Sequence, residues 1–245
     1  ALGLKAKGIA SVRYDKRGIG ESKAAATSEQ DMRFDHLVSD AEAWIQHLQA
    51  DPRFDRVVVI GHSEGSLIGM IAAQHTQAQG FISIAGAGLP AAQIIDRQLQ
   101  AQSPALAQKA AEPLAQLVQG HTVKTYPMSL NSLFRASVQP YLISWFKYDP
   151  REEIAKLQQP VLIVQGNHDL QVEVSDAEAL FEAQPHAQKQ VIEGMNHVLK
   201  AAPLDKLGNL KTYAQPDLPL HDSLLPVLVD FIERTGKPVA ERKVD

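Results

Sequence analysis

The sequence contains no cysteine. A chain without cysteine forms no disulfide, offers no thiolate nucleophile and cannot build a cysteine-ligated zinc site. The absence does not assign a compartment. The chain also begins at Ala1 rather than at methionine, so we expect the natural gene product to begin earlier, and we leave its localisation open.

Two other features are scarce: positive charge and long apolar runs. The 24 lysine and arginine residues are outnumbered by 28 aspartate and glutamate residues, which gives a net charge of −4. Without a basic surplus to neutralise phosphates, we expect no nucleic-acid partner. No apolar run approaches the roughly 18–20 residues of a membrane-spanning helix, so we expect no membrane span.

The apolar residues that are present form short strand-like runs. They lie at Ile9–Tyr14, Val57–Ile60, Phe81–Ile84, Val161–Val164 and Gln190–Ile192. Helical spacing of apolar residues occurs between or after these runs, at Asp35–Gln49, Leu67–His75, Ser175–Ala183 and Ser223–Arg234. Short apolar strands that alternate with helices predict an α/β fold whose mostly parallel sheet has helices on both faces.

One segment interrupts this alternation. Residues 89–150 show helical patterns but no strand, with prolines between them. We interpret them as an inserted helical cap and assign residues 1–88 and 151–245 to the core. Six of the aromatic residues fall within 121–150, and we expect most of them to form the core of the cap and one or two to line an apolar pocket.

A serine between two glycines follows the second predicted strand. The residues Gly61-His62-Ser63-Glu64-Gly65 fit the pattern Gly-x-Ser-x-Gly, with a strand before them and a helix after them. The pattern alone is short enough to arise by chance, but this context is the one that a nucleophile elbow requires. We expect glycine at both flanking positions to avoid collisions with the backbone, and we expect the turn to hold the Ser63 hydroxyl out for chemistry.

A serine nucleophile needs a base, and the base needs an acid that orients it. In parallel sheets, functional residues lie in loops at the carboxyl ends of strands. Asp169 follows the strand in "PVLIVQGNHD" and His197 follows the strand in "KQVIEGMNH". The order Ser63, Asp169, His197 is the one found when this arrangement occurs on an α/β sheet.

Other polar residues compete for these roles. His221, before the last helix, is the one serious alternative base, whereas His186 precedes its strand and lies at the wrong end of the sheet. His62 is expected to point away from the site or to pack locally, and His168 to help its loop turn. Asp176, on a predicted helix, is expected to be solvated.

These motifs resemble those of the α/β-hydrolase superfamily, in particular its bacterial serine esterase-like members. The segment "GHSEGS" resembles the nucleophile elbow of the family, "GNHDLQV" its acid loop and "GMNHVLK" its histidine loop. The segment "YDKRGIGESK" (residues 14–23) resembles a glycine turn of many members, and we expect it to shape the floor of the site. The resemblance implies that the Glu64 backbone N–H is one of two donors of an oxyanion hole.

The chain departs from the family pattern at its start. The resemblance implies that "ALGLKAKG" is the first helix of the fold and Ile9–Tyr14 its fourth strand. The strands before this helix, and the loop that carries the second oxyanion donor, are then missing. Because the third strand of the fold lies between the fourth and the fifth, we expect a gap beside Val57–Ile60, as in a fragment of a longer protein, unless another segment fills it.

The combined interpretation is a serine hydrolase that cleaves small-molecule carboxylic esters through Ser63, His197 and Asp169 and an acyl-enzyme intermediate. It needs no cofactor or metal, because no ligand spacing for a metal and no phosphate-binding glycine loop is present. A peptidase or thioesterase with the same three residues is the first alternative. A non-catalytic, ligand-binding member of the fold is the second. The sequence does not predict the oligomeric state.

Overall fold

A parallel sheet of four strands lies at the centre of the computed structural model, which describes residues 1–235; residues 236–245 of the predicted core segment lie outside the described residues. The strands are rich in valine and isoleucine, whose branched side chains suit a pleated sheet. They are β1 (Val58–His62), β2 (Gly80–Ile84), β3 (Val161–Gly166) and β4 (Gln188–Ile192).

The strands are hydrogen-bonded in the order β1-β2-β3-β4, and every pairing is parallel. The register pairs Ile60 with Ile82 and Ile84 with Val164. All carboxyl ends therefore meet at one edge of the sheet, where an open α/β sheet places its functional loops.

Helices fill the connections and are listed here with their bounds: α1 (Leu2–Lys5), α2 (Phe34–Gln49), α3 (Glu64–Thr76), α4 (Ala91–Gln102), α5 (Pro104–Val118), α6 (Asn131–Phe134), α7 (Gln139–Trp145), α8 (Pro150–Ala155), α9 (Val174–Ala183), α10 (Lys206–Tyr213) and α11 (Leu224–Arg234). Short 3₁₀ turns lie at Gly20–Ala25, Glu29–Asp31 and Met128–Leu130. Within residues 1–235, no helix has the length and apolarity needed to cross a membrane.

Both faces of the sheet are covered, as predicted. On one face, α2, α3 and α9 pack against alternate strand residues such as Phe81 and Ile163. On the other face, α1 and α11 pack against the intervening residues, among them Ile82 and Val164. In α2, the buried residues recur at helical spacing, so one stripe of that helix faces the sheet. The predicted class, a parallel sheet with helices on both faces, is therefore confirmed.

The helices α4 to α7 form a separate layer, which we call the helical segment (residues 91–145). It has its own apolar cluster, which includes the buried Phe134 and Leu142. Trp145 and Tyr141 connect this layer to the core, where they pack on the fully buried Phe34. The described residues thus hold no strand between 89 and 150, in agreement with the sequence, and the division into core and cap stays a prediction.

The predicted strand at Ile9–Tyr14 is wrong. These residues are not part of any strand in the structure, and among residues 1–235 β1 has no partner on its outer side. A cavity of about 430 Å³ separates the segment from β1, lined by Ile9–Val12 on one side and by Val57, Val58 and Ile60 on the other. A strand exists only when a neighbour satisfies its backbone groups, and the described residues supply none here.

The expectation that Asp176 is solvated is also wrong. Its side chain is fully buried, and its carboxylate accepts hydrogen bonds from the Gly88 N–H, the Glu173 N–H and Arg97. Arg97 lies on α4, so this ion pair joins the helical segment to α9. The sequence indicates that Asp176 lies on a helix but not that Arg97 approaches it from another layer. A buried carboxylate needs such a partner.

Candidate active site

The strand β1 ends at His62, and the helix α3 begins at Glu64, so Ser63 alone makes the turn between them. Its backbone is strained, with φ 55° and ψ −125°, a conformation that a serine adopts only when its surroundings impose it. The Ser63 N–H donates to the Ile84 carbonyl at 2.9 Å, which fixes the turn against the end of β2.

The two glycines of the motif differ in their surroundings. A Cβ at Gly61 would lie 2.2 Å from the Gly65 carbonyl oxygen and 2.6 Å from the Ser66 Cα, so only glycine fits at that position. A Cβ at Gly65 meets nothing within 4 Å, because that position faces the open space beside β1. The expected collision is therefore present at Gly61 and absent at Gly65.

Ser63, His197 and Asp169 are joined by hydrogen bonds. The His197 Nδ1 lies 2.8 Å from the Asp169 Oδ2, and the His197 Nε2 lies 3.1 Å from the Ser63 Oγ. Because a carboxylate only accepts, His197 carries its proton on Nδ1, and its Nε2 is left to accept the proton of the serine. The side chains of His197 and Asp169 are 7% and 1% exposed, so bulk water is excluded from this contact.

The loop after β3 holds the Asp169 carboxylate by its second oxygen. Oδ1 accepts the backbone N–H groups of Gln171 and Val172, at 2.7 and 3.0 Å. The Gln165 side-chain amide donates to Oδ2 at 3.3 Å. These bonds leave Oδ2 directed at the imidazole.

The loops that carry Asp169 and His197 are held directly against each other. The His168 N–H donates to the Met195 carbonyl at 3.1 Å, and the Asn167 side chain accepts the Gly194 N–H at 2.7 Å. A Cβ at Gly166 would lie 2.0 Å from the Met195 oxygen, so the close approach depends on this glycine. The separation of acid and base is therefore set by the scaffold.

His62 supports the loop of His197. Its Nε2–H donates to the His197 carbonyl at 2.8 Å, and the two rings pack with centroids 4.9 Å apart. Desolvation lowers the pKa of His62, and it outweighs the hydrogen bond to the His197 carbonyl, which raises that pKa. The sequence predicted local packing for His62 but not this contact across 135 residues of chain.

The competing histidines have other partners. The His168 Nδ1 bonds to the Ala202 carbonyl at 2.7 Å. The His221 Nδ1 accepts the Ser223 N–H at 3.3 Å, in the loop before α11. The imidazole that contacts Ser63 is His197, so the structure gives no support to His221 as an alternative base.

Glu64 presents its backbone and its side chain to different neighbours. Its N–H opens α3, where no carbonyl of the same helix is available to it, and the helix dipole favours negative charge at this end. Its carboxylate accepts from the Lys16 ammonium and from the Tyr141 hydroxyl, each at 2.5 Å. The sequence drew attention to the turn that contains Lys16, but no local pattern indicated Tyr141.

An apolar pocket of about 200 Å³ adjoins Ser63. Residues of α3, α4 and α7 and of the loop after β3 contribute its apolar wall, among them Leu67, Ile94, Ile95, Trp145 and Val172. Of the described residues that line it, Glu64 alone is charged. The arrangement can activate a serine beside an apolar group of limited size.

Comparison with known proteins places the chain in a family. The family model described as serine aminopeptidase, S33, matches residues 1–151. A curated relative, the esterase EstD of Thermotoga maritima, is 26% identical over 203 residues, which cover 81% of this chain. The chain spans about half of that relative, 48% of its length.

Solved structures share the fold at low sequence identity. Est1E of Butyrivibrio proteoclasticus, solved with ferulic acid bound, superposes with a TM-score of 0.58 at 17% identity, covering 95% of this chain and 81% of that one. A bromoperoxidase of Bacillus anthracis superposes with a TM-score of 0.52 at 16% identity, covering 90% and 80%. At these identities the likeness establishes the architecture and nothing about the reaction.

Proposed function

This chain belongs to the serine aminopeptidase, S33, family of α/β-hydrolases, and we propose that it forms the catalytic part of an esterase that cleaves carboxylic esters with Ser63 as nucleophile. The observation that carries the proposal is the hydrogen-bonded series from the Ser63 hydroxyl through His197 to the buried Asp169. The name of the relative EstD supports an ester substrate over other acyl derivatives.

In the proposed reaction, Ser63 attacks the ester carbonyl carbon while the His197 Nε2 takes its proton. The Glu64 N–H donates to the developing oxyanion, with the helix dipole of α3 behind it. His197 then returns the proton to the leaving alcohol, which leaves an acyl group on Ser63. A water molecule, deprotonated by His197, attacks this acyl-enzyme and releases the acid, and the serine is restored. Asp169 holds the imidazole in position and offsets its charge.

The pocket beside Ser63 indicates the size of the group that the enzyme accepts. A dry cavity of about 150 Å³ holds one benzene molecule. The pocket of about 200 Å³ is therefore suited to an apolar group about as large as a phenyl ring. In this proposal the helical segment acts as a cap that limits substrate length.

The family description favours one other candidate, an aminopeptidase. Such an enzyme must hold the free ammonium group of its substrate, which requires an unpaired carboxylate near the serine. Of the described residues that line the pocket, Glu64 alone could serve, and its carboxylate is already bound to Lys16. This pairing favours an uncharged ester over a peptide with a free amino terminus.

The test uses the full-length gene product and its Ser63→Ala variant. We expect the variant to lose hydrolysis of p-nitrophenyl butyrate and labelling by a fluorophosphonate probe, while Ser175→Ala, a change at an exposed serine of α9, keeps both. Retention of both activities in Ser63→Ala would refute the assignment.

A second measurement separates the alternatives. The oxyester, thioester and amide of one acyl group are compared by kcat/KM, together with an aminoacyl p-nitroanilide. Preference for the p-nitroanilide would replace the esterase proposal with the peptidase. Tight ligand binding without turnover of any substrate would favour a non-catalytic member of the fold.

A further inference from the structure

The Glu64 side chain is held from two directions by segments that lie far away in the chain. Its Oε2 accepts from the Lys16 ammonium, which belongs to the turn at residues 14–23, and its Oε1 accepts from the Tyr141 hydroxyl, which belongs to α7. These contacts span 48 and 77 residues of sequence. The turn at residues 14–23, the serine turn and the helical segment thus meet at one carboxylate.

This carboxylate occupies an unfavourable place for the proposed reaction. It belongs to the first residue of α3, and the backbone N–H of the same residue is the donor proposed for the oxyanion. A negative side chain stabilises a helix N-terminus because it offsets the positive end of the dipole. The same charge opposes a second anion at that end, since like charges at close range repel each other.

Lys16 counters this repulsion. Its ammonium lies 2.5 Å from the Glu64 Oε2, and among residues 1–235 it is the one cationic side chain paired with that carboxylate. The two side chains are 40% and 27% exposed, so the pair adds little to the stability of the fold. We expect the pair to affect the rate of hydrolysis, because negative charge develops beside it during turnover.

We propose that Lys16 is a positioning residue for ester hydrolysis, which acts by neutralising the Glu64 carboxylate beside the proposed oxyanion donor. Tyr141 supplies the second half of the arrangement and fixes the direction of the carboxylate. The inference rests on the function proposed above. It adds Lys16, a positively charged side chain, to the three residues Ser63, His197 and Asp169.

The properties of Tyr141 fit this role. Burial and the adjacent carboxylate both raise the pKa of Tyr141, so its hydroxyl stays protonated and can donate. Its ring packs against Phe34 and Trp145, with centroids 6.3 and 6.0 Å away, which limits its movement. The carboxylate is therefore kept in place by a neutral donor, and its charge is balanced by Lys16.

The experiment measures kcat and KM of the full-length gene product with p-nitrophenyl butyrate. We expect Lys16→Met to lower kcat about tenfold with little change in KM, because the repulsion acts on the transition state more than on the neutral ester. Lys16→Arg keeps the charge and should restore most of the rate. In the double variant Lys16→Met/Glu64→Gln both charges are gone, and kcat should return to the level of Glu64→Gln alone.

The control variant is Lys109→Met, which removes an exposed lysine from α5 and should leave kcat unchanged. The proposal is overturned if Lys16→Met turns over at the wild-type rate, or if the double variant is as slow as Lys16→Met, since a purely structural defect would not be repaired by removing Glu64. Ser63 labelling by a fluorophosphonate is followed in parallel. Failure of the wild type to label at Ser63 would refute the proposed function, whereas normal labelling with an unaffected Lys16→Met would refute this inference alone.

Discussion

Gly61→Ala tests whether the turn at Ser63 depends on the close approach of α3 to β1. The added Cβ would lie 2.2 Å from the Gly65 oxygen, whereas real Cβ contacts are essentially never shorter than 3.0 Å. The two backbones must therefore separate by at least 0.8 Å. All three of the nearest atoms belong to the backbone, so no side-chain rotation can relieve the overlap.

The size of the effect follows from this displacement. Forcing an extra methyl group into a packed site costs about 1–3 kcal/mol, which for a domain of this size lowers the Tm by roughly 2–12 °C. A misplacement of about 1 Å at a reacting group costs on the order of a hundredfold in rate. We expect Gly61→Ala to lose at least that factor in kcat for p-nitrophenyl butyrate and in the rate of fluorophosphonate labelling.

Gly65→Ala is the matched comparison, because a Cβ there meets nothing within 4 Å. Alanine is also the better helix former at a position inside α3, by about 1 kcal/mol. The loss of activity in Gly65→Ala should therefore be at least about tenfold smaller than in Gly61→Ala. The reasoning fails if the two variants are equally impaired, or if Gly61→Ala keeps the wild-type kcat and Tm.

Three further outcomes follow from the structure. Folding lowers the pKa of His62, so the unfolded chain binds more protons than the folded chain below pH 6.5. His62 therefore contributes stability above that pH, and this stability is lost as the pH falls through the folded-state pKa. In thermal melts between pH 7 and 5, the Tm of the wild type should fall more steeply than that of His62→Gln. Arg97→Met leaves the buried Asp176 without its cation and should lower the free energy of unfolding, measured in urea, by about 3 kcal/mol. This value is at the low end of the range for a broken buried pair because two backbone N–H groups still donate to the carboxylate. An unchanged urea midpoint would contradict the importance of this ion pair. Ile94→Ala enlarges the pocket and should shift the preferred p-nitrophenyl ester to one with a longer acyl chain. Gln93→Ala, a change at an exposed residue of the same helix, should not shift this preference. Equal profiles of kcat/KM against acyl length for the two variants would exclude the pocket as the acyl site.

The sequence predicted the parts of the fold that depend on local pattern. Four of the five predicted strands are present, since runs such as Val161–Val164 are apolar on both sides and suit a sheet covered on both faces. The meeting of Ser63, Asp169 and His197 was also predictable, because each follows a strand and the carboxyl ends of parallel strands share one edge. Their catalytic roles stay a prediction until the variants are measured.

The rest depends on contacts between distant segments. Tyr141 and Lys16 reach Glu64 from separate layers, and neither lies in a pattern that points to that residue. Asp176 has the helical position of a surface residue and becomes buried because Arg97 of α4 and the Gly88 backbone lie against it. The segment Ile9–Tyr14 has the composition of a strand, but pairing requires a neighbour, which composition does not provide.

Among residues 1–235 the outer side of β1 has no partner, and such an open edge affects behaviour at high protein concentration. Val58, Val59 and Ile60 are consecutive branched residues of β1, and those of its backbone groups that alternate away from β2 can template another extended chain. Such an exposed edge promotes aggregation between molecules unless another polypeptide covers it. The solubility of any preparation will therefore depend on what lies against this strand, independently of the chemistry at Ser63.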